Sequence, residues 1–342
     1  MNLRVMTVLA GAPVGGAETF FTSLSTAFAR AGFEVRSILK ANSGREVALD
    51  NSGIRYATAP FSTAFDWSTR GVIRRNAAEF RPDVILAFAG RAARFIPRGA
   101  YKIVGRLGGY YSIRNFRRCD HLICNSPSVL RHVIESGWPA RRATLIPNFP
   151  SITEARPVNR ADLATPDSAP LALALGRLHP NKGLDLLIRA AGKIPELFVW
   201  IAGEGPERAS LEQLSRELQI SDRVRFLGWR SDRAALFAAA DICVYPSREE
   251  PFGNVVVEAW SCGTPLITTA TAGPSWLVRD NEDAVLVPVE SVAALANGIR
   301  SLLDSRQLRE RLVLTGKRRV AADFSEPAIV KRYAETFRRL MV

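Results

Sequence analysis

Short apolar runs alternate with longer amphipathic stretches along this chain of 342 residues, and the series starts twice. Residues 4–10, 34–39, 84–88, 102–105 and 121–125 read as buried strands, with helical stretches such as 17–31 between them. That rhythm is the mark of a parallel sheet covered by helices. After an irregular, proline-containing stretch the alternation resumes. Strands are expected at 171–176, 197–203, 224–228, 241–245, 266–269 and 284–287, and helices at 183–191, 207–218, 292–303 and 326–340. The length exceeds what one core usually serves, so two domains follow. Their expected bounds are 1–150 and 169–325, joined by a linker at 151–168, with 326–342 as a C-terminal helix.

Bulk properties narrow the class. No uninterrupted apolar run reaches the roughly 18 residues that a membrane-spanning helix needs. Arg4 and the Pro13–Gly16 segment interrupt what would otherwise resemble a signal peptide, so the start reads as a first strand. Cys119, Cys124, Cys243 and Cys262 lack paired metal spacing and read as reduced core residues of a cytoplasmic protein. With three histidines and no Asp-x-Asp pair, neither metal nor other cofactor is expected. The net charge of +13 is unevenly placed: residues 1–150 hold 21 Lys and Arg against 9 Asp and Glu, and residues 151–342 hold 25 against 24. Between Asp83 and Asp120 there is no acid, yet Arg91, Arg94, Arg98, Lys102, Arg106, Arg114, Arg117 and Arg118 all occur. Such a patch suits an anionic partner: a lipid surface, an acidic glycolipid or nucleic acid. No compact nucleic-acid motif accompanies it, so nucleic acid is not the expected partner.

The residues that carry chemistry cluster in turns. Gly253 and Asn254 make a helix start, and Gly263 with Pro265 a stop, which places Glu258 on a helix over 254–262 and Glu250 on the loop before it. If that loop folds over the helix start, both carboxylates and the amides of Phe252, Gly253 and Asn254 surround one volume. Amides attract anions and carboxylates accept bonds from hydroxyls, a combination that suits a phosphorylated sugar. The turn from Gly176 to Gly183 sets Arg177 at a strand end and Lys182 before a helix, where doubly wound sheets bind ligands. The turn from Gly11 to Glu18 joins strand to helix through glycines, yet it is neither a dinucleotide fingerprint nor a P-loop.

The spacing from Glu250 to Glu258, with Phe252, Gly253, Ala259, Gly263 and Pro265 in register, resembles the signature of retaining glycosyltransferases of family four, the group 1 enzymes with the GT-B fold. The resemblance spans the chain. It implies two Rossmann-like parallel-sheet domains facing across a cleft, the first for the acceptor and the second for a nucleotide-sugar. It also implies that Gly15 and Gly16 face the donor diphosphate, as in the family's Gly-Gly-Ala-Glu turn, and that Arg177 and Lys182 bind that diphosphate. Gly203 belongs to the family's next turn, and the strand end at Leu227 meets the nucleotide base through backbone groups. Glu250 is implied to bind hydroxyls of the donor sugar and Glu258 the ribose, with the anomeric configuration retained and no metal. Many members carry a histidine in the loop that here reads Arg106-Leu107-Gly108-Gly109-Tyr110-Tyr111, so Arg106 or Tyr110 is expected on the acceptor side. His121 reads as a core residue, and Ser126 as a helix cap.

The reading that follows is a retaining transferase with Glu250, Arg177 and Lys182 as its catalytic groups and a uridine or guanosine diphosphate sugar as donor. Its basic first domain would dock at the inner face of the cytoplasmic membrane and serve a lipid-linked, lipopolysaccharide or polysaccharide acceptor. Alternatives are a soluble acceptor, nucleotide-sugar epimerisation on the same fold, or a non-enzymatic binding protein that uses the basic patch beside a vestigial site.

Overall fold

A computed structural model describes residues 3–12, 15–62, 66–152 and 155–342. Pro13 and Val14 of the first glycine turn, and two residues of the expected linker, therefore lie outside the described residues. The chain forms two compact units, residues 1–149 with 325–342, and residues 150–324.

The first unit is built on strands β1 (Arg4–Leu9), β2 (Glu34–Leu39), β3 (Arg55–Thr58), β4 (Val84–Phe88), β5 (Lys102–Leu107), β6 (His121–Cys124) and β7 (Ala143–Leu145), all parallel in the order β3-β2-β1-β4-β5-β6-β7. The five runs named from sequence are the central strands, mostly buried, with β4 (VILAF) apolar and buried throughout. The edge strands β3 and β7 escaped that reading, because they are short and only partly buried. Helix Glu326–Met341 packs on helix Gly16–Arg30 of this unit through Tyr333 and Phe337, which meet Phe28 edge-on at 5.5 and 6.0 Å.

The second unit holds β8 (Leu171–Leu175), β9 (Phe198–Ala202), β10 (Val224–Gly228), β11 (Ile242–Tyr245), β12 (Leu266–Thr269) and β13 (Val285–Val287), also parallel, in the order β10-β9-β8-β11-β12-β13. The stretch expected as a linker is packed onto this unit. Arg160 donates to the carbonyls of Ala239 at 2.9 Å and Ala169 at 3.0 Å and pairs with Asp241 at 3.1 Å, while Trp200 donates to Thr165 at 2.9 Å. Helix Arg306–Asp323 was not legible from sequence, since its charged residues leave little apolar periodicity.

Both sheets reverse their order beside the first strand of each series, with β1 between β2 and β4, and β8 between β9 and β11. Loops at the carboxyl ends of such strands diverge and leave a crevice. The glycine-rich turns follow β1 and β8, and the glutamate stretch follows β11.

Three expectations about single side chains are settled by burial. His121 is 2% exposed and bonded through Nε2 to Thr144 Oγ1 at 2.8 Å; burial, with the charges of Arg339 and Arg142, lowers its pKa to about 4. Ser126 caps helix Pro127–Glu135 by accepting from the Val129 amide at 3.3 Å. Cys119, Cys124 and Cys243 are buried and Cys262 half-buried; burial pushes the thiols of Cys119 and Cys124 up to about 12, so these two are unreactive core residues.

Candidate active site

In the second unit, four adjacent strands deliver the expected donor residues to one end of the sheet. Leu227 lies at the end of β10, Gly203 follows β9, Arg177 follows β8 and Glu250 follows β11. Sheet order, not sequence distance, brings them together.

Glycines allow the turns to nest. A Cβ on Gly203 would sit inside the Gly176 carbonyl oxygen, and one on Gly183 would clash with the Pro246 carbonyl. Main-chain bonds then tie the turns to each other. Leu178 N donates to the Glu204 carbonyl at 3.0 Å, and Arg248 N donates to the Asn181 carbonyl at 2.8 Å. Arg248 adds a clamp, with Nη1 and Nη2 on Asp185 at 2.6 and 2.8 Å and Nε on Glu290. Burial would raise the Asp185 pKa, but the bonds and charge of Arg248 outweigh it and hold the carboxyl below its usual range.

This scaffold fixes Lys182 against Glu250. Nζ lies 2.6 Å from Oε2, with both side chains mostly sheltered, and the buried Tyr245 hydroxyl donates to the same oxygen. Lys182 also lies over the Tyr245 ring at 5.6 Å. Burial and the Glu250 charge raise the tyrosine pKa well above its ordinary value, so its hydroxyl stays a neutral donor. Arg177 is exposed and makes no ion pair or hydrogen bond with a described residue. Its guanidinium is thus uncommitted beside a lysine already neutralised by a carboxylate.

Helix Asn254–Cys262 runs over the expected residues. Gly253 (φ +102°) opens it and Gly263 (φ +69°) closes it, both in the left-handed region that favours glycine. No side chain caps its first amides. The loop before it is held against helix Ala272–Leu277: Gly273 N donates to the Glu250 carbonyl at 2.8 Å, and Phe252 is buried with its ring centre 6.2 Å from that of Trp276. The ring of Phe252 belongs to the core, and the Phe252 carbonyl packs against Gly273. Glu258 is 5% exposed and accepts from Arg233, whose own pKa burial lowers. The register of β10 against β9 shifts between Phe226 and Gly228, which leaves Leu227 without a Cα partner in the ladder.

The first unit holds the other expected residues. Gly15 caps helix Gly16–Arg30, and Glu18 folds back over that turn to accept from the Ala12 amide at 2.9 Å. One acceptor-side expectation is corrected. Arg106 is 2% exposed, donates to Asn148 and lies 4.3 Å from the Phe20 ring centre, so it braces the interior of the unit and presents no guanidinium to an acceptor. Tyr110 is 41% exposed, with the His132 ring 5.5 Å away; His132 Nε2 lies 3.1 Å from the Tyr111 carbonyl. The loop without a histidine thus receives one from helix Pro127–Glu135.

Sequence reasoning missed Tyr245, Arg233 and Arg248. Tyr245 was visible only as the last apolar residue of a strand, and nothing local marks either arginine as the partner of a distant carboxylate. Among the described residues there is no group of three or more His, Cys, Asp or Glu arranged to hold a metal ion.

Comparison with known proteins agrees with this geometry. Residues 155–319 match the family of glycosyl transferases group 1, and residues 14–152 match glycosyltransferase family 4. Two curated relatives from Rhizobium meliloti are the lipopolysaccharide core biosynthesis glycosyltransferases LpsE, 34% identical over 94% of this chain and 95% of its own length, and LpsD, 37% identical over 95% of each. Among solved structures, Anabaena HepE in complex with UDP-glucose superposes with a TM-score of 0.83 at 22% identity, covering 98% of this chain and all (100%) of that one. WaaG, a glycosyltransferase involved in lipopolysaccharide biosynthesis, gives 0.73 at 18%, covering 97% and 99%.

Proposed function

The chain belongs to the group 1, family 4 glycosyltransferases of GT-B fold, and from that premise we propose that it moves a sugar from a nucleoside diphosphate to a lipopolysaccharide or related cell-surface glycan, with retention at the anomeric carbon. The acceptor class rests on the two lipopolysaccharide core relatives, and a uridine nucleotide on the UDP-glucose complex of HepE. The observation that carries the reading is the Lys182–Glu250 pair at the ends of adjacent strands β8 and β11, with Arg177 exposed and uncommitted on the same turn.

Transfer breaks the bond from the anomeric carbon to the diphosphate oxygen and forms one to an acceptor oxygen, whose proton departs. Negative charge grows on the leaving diphosphate. Arg177 and Lys182 would meet that charge; one preorganised donor contributes about 3 kcal/mol. As Lys182 turns to phosphate, the Tyr245 hydroxyl keeps Glu250 in place to accept from hydroxyls of the sugar. Glu258 would hold ribose, which requires sharing its carboxylate with Arg233. No resident metal is needed in this scheme. No helix among the described residues is long and apolar enough to cross a membrane; we place the protein in the cytoplasm, peripheral to the inner membrane face, with the basic first unit drawn to anionic lipid.

Thermal melting with a panel of uridine and guanosine diphosphate sugars tests the donor reading. A ligand at a hundred times its dissociation constant adds about 2.7 kcal/mol of stability. At least one sugar nucleotide should raise the melting temperature, and Arg177→Ala should abolish the rise. A panel without effect would overturn the assignment.

A further inference from the structure

The first unit contains a cavity of about 90 Å³ that the donor site does not use. Arg70 reaches it from helix Trp67–Phe80, Arg94 from helix Ala89–Phe95, and Arg114, Arg117 and Arg118 from the 3-10 turn Ile113–Phe116 and its exit. Close packing assembles it: a Cβ on Gly90 would lie 2.8 Å from Asn115, so only glycine lets the second helix seat against the turn.

Among the described residues no carboxylate lines this cavity. Asp66, four residues before Arg70, is spent on Ser68 and on the Thr69 amide at 2.6 and 2.9 Å. Asp83 and Asp120, which bound the acid-free stretch, accept from the amides of Arg4 and Ile103, each at 2.8 Å. Of the five guanidiniums, Arg118 reaches one protein acceptor, the Ile96 carbonyl at 3.4 Å; Arg70 lies over the Trp67 ring at 5.7 Å; the other three make no ion pair or hydrogen bond with a described residue. Burial, together with the charges of Arg70, Arg117 and Arg98, lowers the Arg118 pKa. Like charges gathered around a concavity cost stability until an anion enters.

We propose that this cavity is a binding site for a phosphate or carboxylate group carried by the acceptor glycan. The inference rests on the sugar-transfer reading and adds the charge class of the acceptor to it. Guanidinium forks match both oxyanions in bidentate fashion, and several converging forks select a multiply charged group over a neutral sugar. The space suits one such group, since a water occupies about 30 Å³ of liquid. A bilayer is met by basic groups spread over an open face, whereas these five converge on one concavity. On the lining elements the sole large exposed hydrophobic side chain is Trp67, 74% exposed beside Arg70, which is enough to stack on one sugar ring.

Calorimetric titration with inorganic pyrophosphate tests this on the full chain carrying Arg177→Ala, which removes the uncommitted diphosphate contact of the second unit and leaves Lys182 paired with Glu250. Affinity should fall at least tenfold when Arg114→Ala and Arg117→Ala are added. It should change less than twofold with Arg74→Ala and Arg75→Ala, which remove equal charge from exposed positions outside the cavity. Equal losses in the two pairs, or no binding in the parent, would overturn the proposal. Sedimentation with phosphatidylglycerol vesicles separates the sources of phosphate. Both pairs should weaken vesicle binding alike, whereas vesicle binding lost only with the cavity pair, and not displaced by pyrophosphate, would assign the site to lipid headgroups and overturn it. Melting with sugar nucleotides uses intact Arg177, so failure of the donor reading is seen independently.

Discussion

The two units handle charge in opposite ways. In the second, the charged groups around the candidate site other than Arg177 are neutralised by neighbours: Lys182 by Glu250, Arg233 by Glu258, and Arg248 by Asp185 and Glu290. In the first, the cavity arginines lack a carboxylate partner among the described residues. A ligand in the second unit must therefore exchange partners with an existing network, which favours geometry and selectivity. An anion in the first meets an unbalanced field, which favours attraction and tolerates variety in the ligand. The same contrast appears in the division of net charge, nearly all of it in residues 1–150.

Breaking the network at its centre should have the largest effect. Glu250→Ala should lower transfer at least about a thousandfold, roughly 4 kcal/mol, with little change in melting temperature; steady-state rates with the donor found by melting check this, and full activity would remove Glu250 from the mechanism. Next comes a pair that is structural. Arg319 lies 2.6 Å from Asp283, whose side chain is fully buried, and burial raises the Asp283 pKa. Arg319→Ala should cost about 3 kcal/mol in denaturant unfolding, because it strands a buried carboxylate.

The first unit offers a comparable effect through pH. The folded pKa of His121, about 4, lies below its ordinary value of 6.5, so folding favours the neutral ring. Its contribution is full above pH 6.5 and is lost as pH falls toward 4, up to about 3 kcal/mol. His121→Gln should flatten the acid limb of stability by that amount, as measured by urea midpoints across this range. The smallest effect sharpens the network. Tyr245→Phe removes one bond to Glu250 and should cost about 1 kcal/mol, a several-fold fall in kcat with the donor KM nearly unchanged.

Much of this molecule is legible residue by residue. Helix Asn254–Cys262 begins and ends where Gly253 and Gly263 take left-handed backbone, and the central strands are mostly buried, so local chemistry and periodicity suffice to read them. The edges β3 and β7 and helix Arg306–Asp323 were not legible, since partial burial weakens the pattern. Sequence also located Glu250, Lys182 and Arg177 in turns after strands, but it could not pair them.

Partnership belongs to the tertiary structure. Lys182 and Glu250 meet across 68 positions because β8 lies beside β11, and a histidine reaches the Tyr110 loop from a later helix. Arg106, one of a run of bases, turned inward to Asn148 while its neighbours in sequence surround a cavity. A residue's type and local pattern set which conformation it favours. Which charge stands next to which depends on strand order and on glycine contacts that let backbones touch, and those exist only once the sheets have formed.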